Sequence, residues 1–251
     1  MTQNCILSDR NKNGCDACPS TCTHRIALQG MNGKGGRIAL AGAPASYRHL
    51  TLANSPARES QAKVYELLEK YVATFQRMFD AEGERIKSLY LFSANTGTGK
   101  TTSAAAVMNE YIIANYLGAL KNGQQPLQQP AYFLDVNEWQ TLYNGFNRGN
   151  IPQDVAEQYS RPYYVMMEKA KMAPFAVLDD IGVRDATPPF RADLHTIINY
   201  RCANGLPTVY TSNIPIDELA KVFDVRLYDR VRDQCGVIPF EGESKRGRRN
   251  K

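Results

Sequence analysis

Ser88-Leu89-Tyr90-Leu91-Phe92, then Ala94-Asn95-Thr96-Gly97-Thr98-Gly99-Lys100-Thr101, then the Ala-rich stretch from Thr102 to Leu117 form the part of this chain whose reading decides its fold. The first piece is an uninterrupted apolar run of strand length. The last has an apolar face at helical spacing. Between them sits a glycine-rich turn ending in Gly99-Lys100-Thr101. Strand, turn and helix start together offer backbone N–H groups and a positive dipole end to phosphate oxygens. In such a loop, Asn95, Thr96, Gly97, Thr98, Gly99, Lys100, Thr101 and Thr102 are the candidate nucleotide-binding residues. Lys100 reaches the β- and γ-phosphates, and the Thr101 hydroxyl binds Mg²⁺. The pattern's usual first glycine is Ala94 here, upstream of the residues assigned to chemistry.

A second motif lies about 80 residues on: Phe175-Ala176-Val177-Leu178-Asp179-Asp180. An apolar strand ending in two acids suits the centre of a parallel sheet, where the C-terminal strand ends face the ligand crevice. Asp179 is then placed to hold Mg²⁺ with Thr101, and Asp180 to orient or deprotonate a water. A third strand, Leu206 to Asn213, ends in small polar residues, and Asn213 can bond both a γ-phosphate and that water. Ala131 to Val136 reads as a further strand, followed by a helix with Asn137 as its cap. Gln61 to Ala81 carries Val64, Leu67, Leu68, Tyr71, Phe75 and Phe79 at helical spacing. Strand and helix alternate throughout, which indicates an α/β fold with a parallel sheet.

Composition sets the outer bounds. With 251 residues, 43% hydrophobic and 22% charged, the chain has the make-up of a soluble domain plus a small module. No run approaches the roughly 18 apolar residues of a membrane span, and the N-terminus lacks the layout of a secretory signal, so a cytoplasmic protein is expected. Five of the 30 basic side chains fall in the last seven residues, 245–251, leaving the rest of the chain neutral. Such a tail fits an anionic partner such as nucleic acid, or a solubilising terminus.

Four of six cysteines crowd the first 22 residues: Cys5, Cys15, Cys18 and Cys22, with His24 following. The spacing Cys-x2-Cys-x3-Cys-x-His offers soft ligands from one short turn, as a structural Zn²⁺ requires. An iron–sulfur cluster and uncommitted thiols are the alternatives. Residues 31–60, rich in Gly, Ala, Ser and Pro, read as a linker, with room for one short ordered segment. The expected organisation is a Cys-rich module over 1–30, a linker over 31–60, a catalytic domain over 61–244 and a basic tail over 245–251. Between Trp139 and Met172, Tyr143, Phe146, Arg148, Tyr159, Arg161, Tyr163 and Tyr164 interleave aromatic and basic groups. They suit stacking of single-stranded DNA, or are simply core.

The succession ANTGTGKTT, FAVLDDIG, INYR with LPTVYTSN, and FDVRLYDRVR resembles the bacterial helicase-loader ATPases of the DnaC/DnaI type, which group with the IstB transposition ATPases in the AAA+ class. The resemblance spans roughly residues 61–240. It implies an AAA+ P-loop NTPase that binds ATP and Mg²⁺, assembles as a homo-oligomer on a DnaB-type replicative helicase, and engages single-stranded DNA. It implies also that an arginine after the last motif reaches a neighbouring subunit's ATP, with Arg226 at the best-matching position and Arg230, one turn on, the alternative. A surface helix with local ion pairs is the competing reading of that segment. The 21 residues after Arg230 are too few for the multi-helix lid of most AAA+ proteins, which agrees with the loaders. An IstB-like transposition ATPase and a helicase-binding module that holds ATP without hydrolysing it are the alternative functions.

Overall fold

In a computed structural model of the chain, residues 5–10, 21–80, 83–182 and 186–245 are described. The chain divides into two compact units, one of residues 1–86 and 102–132, the other of residues 87–101 and 133–251.

The first unit holds helices α1 (Thr23–Gln29), α2 (Gly36–Leu40) and α3 (Ala62–Ala73) and most of α4 (Lys100–Lys121), whose first two residues belong to the second unit. The helix expected over residues 61–81 is α3 followed by a 3-10 segment, Thr74–Phe79. Along α4, Ala104, Ala105, Ala106, Val107, Met108, Ile112 and Ile113 are fully buried, so this helix is the spine of the unit's core. Residues 31–60 do not behave as a linker. Ile38, Ala41, Ala43, Leu52 and Ala57 are buried, and α4 binds the segment with polar side chains. Asn109 Nδ2 donates to the carbonyls of Tyr47 (2.9 Å) and Leu50 (2.8 Å), and the Glu110 carboxylate accepts the Leu52 N–H (3.2 Å) and pairs with Arg10. The physical reason is close approach: small residues let backbone pack on backbone, and that composition looks like a flexible linker when read alone.

One glycine decides how this segment turns. Gly36 has φ of +66°, and a Cβ there would lie 2.5 Å from the Leu28 carbonyl group. Gly123 has nearly the same φ, +65°, but nothing within 4 Å. Gly36→Ala is therefore expected to destabilise the protein by about 3 kcal/mol or more, against about 1 kcal/mol for Gly123→Ala, because only the first adds a backbone clash to the left-handed strain. Urea unfolding of the two variants checks this, and equal losses would contradict it.

The second unit holds the parallel strands β1 (Ser88–Phe92), β3 (Phe175–Asp179), β4 (Thr208–Ser212) and β5 (Cys235–Pro239) and most of β2 (Ala131–Asp135), whose first two residues belong to the first unit. Among the described residues the order is β2-β3-β4-β1-β5. The strands pair in parallel, with Leu89 opposite Val209, Ala176 opposite Thr208, and Ser88 opposite Cys235. β3 and β4 are buried along their whole length, as apolar runs in a central parallel position must be. With β4 between β1 and β3, the C-terminal ends Phe92, Ser212 and Asp179 come out side by side.

Helices α5 (Val136–Phe146), α6 (Gln153–Met172), α7 (Pro188–Ala203), α8 (Leu219–Val222) and α9 (Val225–Gln234) complete this unit. Asp135, not Asn137, caps α5; its carboxylate accepts the N–H groups of Asn137 and Glu138 at 3.0 Å. Trp139 of α5 stacks on Tyr163 of α6 at 4.6 Å and tilts against Phe190 of α7 at 4.8 Å. Arg201 is fully buried, and its guanidinium donates to the carbonyls of Ala170 and Ala173 (both 2.8 Å) and Pro207 (2.9 Å) and to Thr208 Oγ1 (2.7 Å). That charge ties the end of α6 to α7 and β4 through donors fixed in one plane. No described helix is long and apolar enough to cross a membrane.

Candidate functional site

The loop after β1 starts from a fixed point, because the Ser93 N–H donates to the Ser212 carbonyl at 3.2 Å and extends the strand pairing by one residue. It then turns through Gly97 (φ +72°) and Gly99 (φ +103°), conformations that only glycine takes without strain. α4 begins at Lys100. The ammonium of Lys100 is folded back into the loop and donates to Asn213 Oδ1 at 2.6 Å and to the carbonyls of Asn95 (3.2 Å) and Ser93 (3.4 Å). The loop is shaped around a buried cation before any anion arrives.

Asp179 closes β3 and is only 7% exposed. Its Oδ2 accepts from Thr101 Oγ1 (3.2 Å) and its Oδ1 from Thr211 Oγ1 (2.7 Å). Thr211 in turn accepts the Asp180 N–H at 2.8 Å. Asp180 sits at φ +62°, a left-handed conformation rare for a residue with a side chain. Its carboxylate is held by Asn137 Nδ2 (2.9 Å) and Asn213 Nδ2 (3.5 Å). Thus Lys100, Thr101, Asp179, Asp180 and Asn213 meet at the ends of β1, β3 and β4. Hydroxyl and carboxylate oxygens at 101 and 179 are the hard donors that Mg²⁺ takes. Beside them stand a cation for phosphate and a polar pair able to hold a water.

Two members of this cluster went unpredicted. Thr211 stands two residues before Asn213, so an extended chain at the end of β4 turns both side chains the same way, which is the signal that sequence offered. Asn137 was expected to cap a helix; its side chain serves Asp180 instead. Thr102 belongs to the first unit. Arg226 and Arg230 are not hydrogen-bonded to this cluster. Arg226 is exposed on the first turn of α9, with no side-chain ion pair among the described residues, and Arg230 Nη1 donates to Asn199 Oδ1 of α7. Asp224 caps α9 by accepting the Leu227 N–H (2.8 Å) and also meets His195 Nε2 (3.0 Å); the Leu227 bond first, and His195 after it, hold its carboxyl below the usual range.

Of the cysteine-rich head, Cys15 and Cys18 lie outside the described residues. Among the described residues no group of three or more His, Cys, Asp or Glu is placed to hold a metal, and His24 Nδ1 is engaged with the Tyr116 hydroxyl at 3.0 Å. The zinc expectation gains no support here. Residues 246–251 of the basic tail also fall outside the described residues. In the aromatic segment the core reading holds for Tyr163, which is fully buried, with Tyr143 tilted against it at 5.7 Å and Phe146 packed edge-on at 5.2 Å. Tyr164 is 57% exposed. A cavity of about 530 Å³ opens beside this cluster, lined by Tyr143, Asn144, Asn147, Arg148, Thr187 and Pro189.

Burial pushes the Asp179 carboxyl up to about 6, against the opposing pull of the Thr211 and Thr101 hydroxyls. A carboxyl whose folded value is raised above its ordinary value of 3.8 makes the fold less stable as pH climbs between the two, and the penalty is complete above the higher one. Asp179→Asn is accordingly expected to gain up to about 3 kcal/mol of stability in metal-free protein at neutral pH, a gain that disappears towards pH 4. Urea unfolding in EDTA at the two pH values measures it; a loss of stability at neutral pH would refute it.

No family model matches the chain. The replicative helicase loader DnaI of Bacillus subtilis (strain 168) is 24% identical over 190 residues, which cover 70% of this chain and 53% of that protein. The chain thus spans about half the length of the curated relative it matches. A crystal structure of DnaI aligns with a TM-score of 0.50 at 22% identity, covering 82% of this chain and 95% of that one. The crystal structure of the DnaC helicase loader aligns with a TM-score of 0.53 at 18% identity, covering 79% and 100%. In sequence the chain is similar to DnaI, and its fold is similar to those of the DnaI and DnaC helicase-loader structures.

Proposed function

We propose that this chain binds and hydrolyses ATP at a site shared between subunits, and that it uses the cycle to deliver a DnaB-type replicative helicase to single-stranded DNA. The observation that carries the reading is the convergence of Lys100, Thr101, Asp179, Asp180 and Asn213 at three adjacent strand ends. The relationship to DnaI and DnaC supports the helicase as partner.

Each residue has one task. Lys100 and the loop N–H groups bind the β- and γ-phosphates; Lys100 exchanges its bonds to Asn213 and the loop carbonyls for phosphate oxygens, at little cost in reorganisation. Thr101 and Asp179 would hold Mg²⁺, which would supply neutralisation of charge on the phosphate oxygens. That binding also relieves the burial penalty on Asp179. Asp180 orients the attacking water and accepts its proton, while Asn213, freed from Lys100, faces both water and γ-phosphate. Arg226 supplies positive charge to the neighbouring subunit's γ-phosphate, and its exposure without an ion pair suits that task. Arg230 is already committed to Asn199 in its own chain. The exposed face of Tyr164 and the cavity beside Tyr143 and Arg148 are where single-stranded DNA finds aromatic and basic groups together.

Lys100→Ala is expected to abolish ATP binding. Asp180→Asn should keep binding while lowering turnover about 100-fold or more, the scale of a lost general base. Phosphate release that stays at zero in the unaltered protein, with and without helicase and single-stranded DNA, would identify a module that holds ATP without turnover. For the shared site, Arg226→Ala and Lys100→Ala proteins should each be inactive alone. Mixed, they should recover part of the ATPase activity, because one mixed interface has both Lys100 and Arg226 intact. No recovery on mixing would place the arginine elsewhere. A pull-down against a DnaB-type helicase with and without ATP tests the partner.

A further inference from the structure

The chain does not leave the phosphate loop once β5 is complete. Pro239 is the register partner of Phe92 at the end of β1, and the next N–H, that of Phe240, donates to the Phe92 carbonyl at 2.7 Å. Phe240 is buried. Beyond it, Asn95 Nδ2 donates to the Gly242 carbonyl at 2.9 Å, and the Lys245 N–H donates to the Gly97 carbonyl at 3.1 Å. The contacts pair 92 with 240, 95 with 242 and 97 with 245. Residues 240–245 therefore run alongside the phosphate loop in the same direction, as a strap that follows it residue by residue. Gly242, at φ +99°, lets the strap make its turn.

We propose that Lys245 is a cation of the nucleotide site, acting in its own chain and held there by this strap; the proposal rests on the nucleotide-binding role given to the loop. Three observations converge on it. The Lys245 backbone is hydrogen-bonded to Gly97, inside the loop that receives the phosphates. Its side chain is exposed and makes no ion pair among the described residues, so its charge is available. The rest of the strap carries Glu241 and Glu243, and without Lys245 it would set two negative charges and no positive one beside a polyanion. Asn95 is the positioning residue, since its amide ties the loop to the strap at Gly242 and sets where Lys245 begins. The basic tail singled out in the sequence thus starts at the ATP site, and Lys245 serves the phosphates of a nucleoside triphosphate rather than DNA.

The test uses the full chain with Lys245→Ala, Lys245→Arg and Asn95→Ala, each titrated with a fluorescent ATP analogue and, separately, with an oligothymidine strand. Lys245→Ala is expected to weaken ATP binding about three- to tenfold, the scale of one lost charge contact at a half-exposed site. Lys245→Arg should bind as the parent does, and Asn95→Ala should show part of the loss. Oligothymidine affinity should not change in Lys245→Ala. Unaltered ATP affinity in Lys245→Ala overturns the proposal, whether or not oligothymidine binding falls. So does a loss that Lys245→Arg shares in full, because that would mark a structural role for the residue. Lys100→Ala serves as the reference. If it loses ATP while Lys245→Ala does not, only the strap proposal fails; if it binds ATP like the parent, the nucleotide site itself has been misread.

Discussion

A carboxylate that must stay charged inside the sheet is the constraint around which this protein is arranged. Asp179 ends a strand buried on both faces, and water reaches almost none of it. The fold answers with two hydroxyls, Thr101 and Thr211, one on each oxygen. Hydroxyls satisfy the lone pairs without neutralising the charge, so the site stays hungry for a cation. From that follow the register of β1, β4 and β3, which brings three chain ends together, and the polar identity of residues that an apolar core would otherwise exclude. Lys100 is treated the same way from the other side, with the carbonyls of Ser93 and Asn95 and the amide oxygen of Asn213 around its ammonium.

What sequence could and could not tell follows from the range of the interactions. The phosphate loop and the Asp-Asp strand were legible because their signals are local: an apolar run, a glycine turn and a helix start, all within about 30 residues. Thr211 and Asn137 were not, since their importance lies in which distant atoms need a partner. Arg201 is the extreme case. In sequence it is an ordinary basic residue near a helix end, and in the fold it is a buried cluster of donors satisfying carbonyls from two segments, the end of α6 and the approach to β4. The misread stretch was 31–60. Small residues permit either a loose chain or a very tight one, and what decides is the partner surface, here Asn109 and Glu110 on a helix more than 50 residues away in sequence.

The aromatic segment carries the same lesson in another form. Spacing alone left Tyr143, Phe146, Tyr163 and Tyr164 open to two uses. The structure divides them within a single pair of neighbours: Tyr163 faces inward against Trp139, and Tyr164 faces solvent. A helix turns by about 100° per residue, so two adjacent aromatics point in different directions and take different surroundings. The Asp193 carboxylate accepts the Tyr163 hydroxyl at 2.6 Å, and burial drives that phenol's proton affinity up, which keeps the ring neutral in the core.

The backbone at Asp180 bears on a choice of residue that chemistry alone leaves open. At φ +62° the left-handed region favours glycine and, among residues with side chains, Asp and Asn, whose short polar groups can bond locally. A longer acid would meet the same strain without that local compensation, and its carboxylate would overshoot the amides of Asn137 and Asn213. The turn out of β3 therefore selects the side chain as much as the reaction does. Exchanging Asp180 for Glu would require this turn to be rebuilt first, so the geometry of one peptide unit limits which acid can stand at this position.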